Sequence, residues 1–136
     1  MIDVKITSPE GGNLVGYVLN LQLFADFFLR QLDKAAQGGE FVRFKSIDAM
    51  RIVIQFIDPD AKVLSEMAIE PPVNVFGQIH GLFVQVLRRE AYASLFVWAS
   101  GDEADCTLAM LESFSRLDDA EIEQLLPPVA SDGSVN

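Results

Sequence analysis

Alternation comes first along the chain. Ile2, Val4 and Ile6 alternate with Asp3, Lys5 and Thr7, the period-two pattern of a half-buried strand, and Pro9-Glu10-Gly11-Gly12 ends it. Leu14 to Leu19 fits either a second strand, weakened by Gly16, or a lead-in to the next helix. Over Leu21 to Ala36 the period changes to 3.6 residues. Leu21, Phe24, Ala25, Phe28, Leu32 and Ala35 share one face, and Gln22, Asp26, Arg30 and Asp33 share the other. Asn20 can cap this helix and Gly38-Gly39 can end it, while Leu23 and Phe27 lie beside the main apolar stripe.

Phe41 to Ser46 reads as a strand, and so does Met50 to Ile57, where Val53 and Ile57 predict cover on both faces. Asp58-Pro59-Asp60 is turn chemistry, returning the chain as Val63 to Ile69. Val73 to Glu90 follows Pro71-Pro72. As a helix it segregates Val75, Phe76, Ile79, Leu82, Phe83, Val86 and Leu87 from Asn74, Gln78, Gln85, Arg88 and Arg89. The strand alternative needs Arg89-Glu90-Ala91 as its turn, which is poor turn material, so the helix is preferred. Tyr92 to Ala99 is apolar on both faces and predicts an interior strand. Asp102 or Asp105 can cap a helix to Arg116, and Asp118 a shorter one carrying Ile122, Leu125 and Leu126.

These elements predict an α+β fold. Its sheet is antiparallel or mixed, with about four to five strands, helices packed on one face and two short acidic helices at the C-terminus. Residues 1–128 are expected to form a single domain, and residues 129–136 a disordered tail. The element order resembles that of small acidic secretion chaperones, an analogy carried by no residue motif.

Half of the 136 residues are apolar, enough for a core with some surplus for an interface. The net charge of −10 excludes nucleic acid and anionic lipid as natural partners, because both require basic residues to displace counterions. That charge is localised. Nine acids lie after residue 100 against Arg116 alone, so this stretch holds −8 of the −10. They can serve as helix-capping and solvated charge, or as a docking surface for a basic protein. The residues expected on such a surface are Asp118, Asp119, Glu121, Ile122, Glu123, Leu125 and Leu126.

Enzyme templates fail on this chain. There is no phosphate-binding glycine loop, no dinucleotide fingerprint and no nucleophile elbow. Asp58-Pro59-Asp60 lacks the downstream carboxylate of a calcium loop. His80 and Cys106 are the only residues of their types, too few for a zinc site. His80 is read as a partly buried histidine bonded to backbone, and its pairing with Cys106 as base and nucleophile is rejected. No catalytic residue, metal or cofactor is therefore expected.

With a single cysteine, no intrachain disulfide can form, and the chain carries neither a leader nor an apolar span, which predicts a cytoplasmic location. The function expected is that of a non-catalytic protein-binding module, an acidic inhibitor, immunity-type protein or chaperone that engages a basic partner. Two alternatives are a small-molecule-binding or modestly enzymatic domain with a pocket lined by Phe76, Tyr92 and Trp98, and a subunit of a homo-oligomer.

Overall fold

A computed structural model describes residues 1–8, 14–115 and 119–126. The chain runs β1 (Ile2–Thr7), β2 (Leu14–Leu19), α1 (Leu21–Gln37), β3 (Phe41–Ile47), β4 (Ile52–Ile57), β5 (Val63–Glu70), α2 (Phe76–Arg88), α3 (Glu90–Ala93), α4 (Gly101–Phe114) and α5 (Asp119–Glu123). The five strands form one antiparallel sheet in the order β2-β1-β5-β4-β3. Leu14–Leu19 is thus a strand, hairpinned to β1 and lying at the sheet's edge. The α+β class and the strand number agree with the sequence pattern. The tail expected from residue 129 lies outside the described residues.

Register explains the layering. Val4 stands opposite Ile69, Ile54 opposite Met67 and Val42 opposite Phe56, so one sheet face is apolar from β1 to β3. Phe24, Phe28 and Leu32 of α1 pack there with Ile79, Leu82, Phe83 and Val86 of α2. Phe28 and Phe83, on different helices, bring their rings to 4.6 Å. The other face pairs Asp3 with Glu70 and Gln55 with Glu66. Val53, on that polar face, is nevertheless buried, and so is Ile57, as the pattern implied.

Local chemistry sets the boundaries. The side chain of Asn20 accepts from the Leu23 N–H at 2.8 Å and starts α1. Gly39, at φ +72°, ends it in the left-handed conformation that favours glycine, and Glu40 N–H bonds back to the Ala35 carbonyl. Asp58 accepts from the backbone N–H of Asp60 and Lys62, both at 2.9 Å, so the Asp-Pro-Asp segment is an aspartate-stabilised turn.

Three expectations change. Tyr92 to Ala99 is not an interior strand: Glu90–Ala93 turns into a short helix, and only Leu95–Val97 reaches the sheet, as a parallel bridge outside edge strand β3. An apolar run cannot by itself distinguish a strand from a coil packed against an edge. The start of α4 is capped by Ser100, whose hydroxyl accepts from Glu103 N–H, and not by Asp102 or Asp105. The polar arc of α2 is only partly solvated, for Gln85 is buried, as are Gly77 and Gly81, while Arg88 is exposed. Helices α4 and α5 pack on α2, which makes it a central helix with the sheet on one side and the C-terminal helices on the other. Glycines on that outer side leave room for close helix approach.

Candidate functional site

The clearest concavity grows out of an unfinished sheet edge. Val42 turns its N–H and carbonyl outward, to the Leu95 carbonyl at 2.9 Å and the Val97 N–H at 2.8 Å. Backbone orientation repeats every second residue of a strand, so Phe44 also presents its amide outward. Beyond Val97 the chain leaves the edge to enter α4, and among the described residues no backbone group meets Phe44 there. The space a sixth strand would fill is instead a groove between β3 and α4.

Its first stretch, about 480 Å³, is lined by Arg43, Phe44, Val97, Trp98, Glu103 and Cys106, among others. A second, about 370 Å³, runs on beside Lys45, Ser46, Ile47 and Met110, and shares Phe44, Cys106 and Thr107 with the first. Phe44, Phe96 and Trp98 stack, with centroids 5.3 to 6.2 Å apart, as an aromatic wall. The facing wall is α4, which contributes Glu103, Cys106, Thr107 and Met110, and Asp102 and Asp105 are exposed elsewhere on its first turns. Glu103 is fixed there by accepting from Ala99 N–H at 2.8 Å.

On the polar sheet face beside the groove, Arg43 donates to Gln55 at 2.8 Å, and Gln55 donates to Glu66 at 2.9 Å. Lys45 reaches the same carboxylate oxygen at 3.3 Å. The Gln55 hydrogen bond, with help from Lys45, holds the Glu66 carboxyl below its ordinary value against the opposing effect of burial.

The residues expected from the sequence divide differently. Ile122 and Leu126 are buried against the core and Leu125 is half-buried, so the apolar side of α5 faces inward and offers no docking contact. Glu121 and Glu123 are exposed, and Glu123 bonds Arg89, just past the end of α2, at 2.9 Å. Glu112 likewise takes Arg88 at 2.8 Å, so part of the C-terminal charge is compensated within the molecule. Asp118 and the side chain of Asp119 lie outside the described residues.

His80 is fully buried, with Nδ1 2.7 Å from the Phe76 carbonyl and Nε2 2.9 Å from the Asp48 carbonyl. It was read from the sequence as bonded to backbone, and it is. Phe76 and Phe114 close around its ring, whereas Cys106 is exposed in the groove. The aromatics expected to share one pocket are dispersed. Phe76 packs on His80, and Trp98 lines the groove. Tyr92 sits near Asp33 of α1, its phenol raised above the ordinary value by burial and then by that carboxylate.

Sequence reasoning missed the groove because its strand side, Phe44–Ile47, and its helix side, Cys106–Met110, are some sixty residues apart. No motif joins them. Among the described residues no cluster of three potential metal ligands occurs, and no helix is long and apolar enough to cross a membrane. Comparison with protein-family models, curated proteins and solved structures found no match to this chain.

Proposed function

We propose that this chain is a non-catalytic protein-binding module that holds an extended segment of a basic partner in the groove between β3 and α4. The observation that carries this reading is the outward-facing backbone of Phe44 at the floor of a groove continuous with the Val42–Phe96 bridge. A guest strand would continue that bridge to Phe44, where the β3–β4 register shifts between Phe44 and Ser46, adding backbone hydrogen bonds as in other cases of strand addition at a sheet edge. Phe44, Trp98 and Met110 would receive its apolar side chains. Glu103, which lines the groove, would favour a Lys or Arg in the guest, and the acidic first turns of α4 would speed association.

Trp98 and Cys106 are the chain's only tryptophan and cysteine, and both line the groove, so they supply the test. A peptide selected from a random display library against the chain is expected to carry basic residues around an apolar stretch. It should shift Trp98 fluorescence, shield Cys106 from thiol reagents and slow hydrogen exchange at Phe44. Thr107→Arg should abolish all three effects. Selected peptides that leave Trp98, Cys106 and the β3 amides unchanged would refute the reading.

A second reading has one observation in its favour. The aromatic wall and a volume of about 480 Å³ also suit a small aromatic ligand. Such a ligand would shift Trp98 fluorescence without protecting the Phe44 amide.

A further inference from the structure

We infer that the opposite sheet edge, β2, pairs with β2 of a second copy of this chain to make one continuous ten-stranded sheet. Among the described residues, strand β2 is bonded on one side only, to β1. Its sequence, Leu-Val-Gly-Tyr-Val-Leu, has none of the devices that keep an exposed edge from pairing: no lysine, no other charge and no proline. Leu14 is 58% exposed and Val18 60%, on the sheet face away from the helices, and Val15 and Tyr17 are exposed on the other. Beside Tyr17 the apolar strip continues onto α1. Phe27 meets the Tyr17 ring at 4.8 Å, and Leu23, one helical turn before Phe27, is exposed. The Leu23/Phe27 pair that lies off the core stripe of α1 thus belongs to this patch.

Charge selects a second copy as the occupant. An edge meant for a charged partner would carry the opposite sign nearby. Here β2 is uncharged, β1 balances Asp3 with Lys5, and α1 balances Asp26 and Asp33 with Arg30 and Lys34. Strands β1 and β2 and helix α1 therefore bring no net charge against a second copy, although the chain as a whole is at −10. The acidic helix α4 lies against β3, at the far edge of the sheet. Pairing through β2 would put the two β3 strands nine strand spacings apart, roughly 43 Å. Screening at physiological salt acts within about 8 Å, so the acidic ends would not feel each other.

Symmetry limits the register. A two-fold axis normal to the sheet keeps each face on its own side, so paired positions must have the same parity. The registers pairing most of β2 centre on Gly16 or on Tyr17, and each aligns five residues. A Cβ added at Gly16 meets nothing within 4 Å, so this position accepts a probe.

The test is sedimentation across a range of concentrations, together with cross-linking. The wild-type chain should approach twice its monomer mass as concentration rises, whereas Val15→Lys and Val18→Lys should stay monomeric with unchanged circular dichroism. In a Cys106→Ser background, one of Gly16→Cys and Tyr17→Cys should form an interchain disulfide on mild oxidation. A wild-type chain that stays monomeric overturns the inference and leaves the edge to a strand of another protein. A dimer indifferent to both lysines, or cross-linked by neither cysteine, overturns it equally. Thr107→Arg acts only at the groove, so the outcome is independent of the peptide-binding reading.

Discussion

The imidazole of His80 ties helix α2 to the turn between β3 and β4, its Nε2 2.9 Å from the carbonyl oxygen of Asp48. That turn is already shaped by the Asp48 side chain, which accepts from the N–H groups of Met50 and Arg51, both at 2.8 Å. With its proton on Nε2, the histidine supplies the donor that the Asp48 carbonyl lacks among the described residues. Losing a buried partner of this kind costs about 1–3 kcal/mol. His80→Leu should therefore lower stability by at least that much in denaturant titrations, and His80→Gln, which can still donate to Asp48, by less. Equal losses in the two variants would mean that the ring matters only as volume.

The Glu66 network predicts a pH effect of defined sign. Its carboxyl is held below the ordinary value in the folded chain, so its contribution is present above that value and fades as pH falls through the folded one. Urea titrations of wild type and Glu66→Gln should differ near neutral pH and converge in acid. A gap independent of pH would exclude the Gln55 and Lys45 contacts as its source.

Ser100 caps α4, the helix that walls the groove. Ser100→Ala should cost about 1 kcal/mol. The same change should weaken binding of a selected peptide, because Glu103 and Cys106 depend on the position of the first turns. Thermal melts and Trp98 fluorescence titrations would measure the two effects separately.

The inward side of α5 and of the residues just after it gives a sharper comparison. Ile122 and Leu126 are buried, so truncation of either to alanine should cost roughly 2–5 kcal/mol. Exposed docking residues would cost less than about 0.5 kcal/mol. Gln124→Ala, at an exposed position, serves as the control. Small losses for all three would return Ile122 and Leu126 to the surface.

Much of the fold was legible in the chain's periodicity. The alternation in Ile2–Thr7, the 3.6-residue stripe of α1 and the turn at Asp58 each rest on neighbours in sequence, and each appears where the pattern put it. The apolar run at Tyr92–Ala99 failed because its environment is set by β3, some fifty residues earlier. Gln85 reads as a polar-face residue because the helices that pack on α2 come later in the chain.

By itself, the sequence determined the class of fold, the strand–helix punctuation and the concentration of acid after residue 100. These follow from local spacing and from counting. Only the tertiary structure decided that β2 and β3 are the two edges, that α2 is central, and that Ile122 and Leu126 face inward. It also decided that Phe44, Trp98 and Cys106 share one groove. Sheet order and helix stacking are settled by contacts between distant segments, and hydrophobic periodicity marks the face a residue turns inward without naming what covers it.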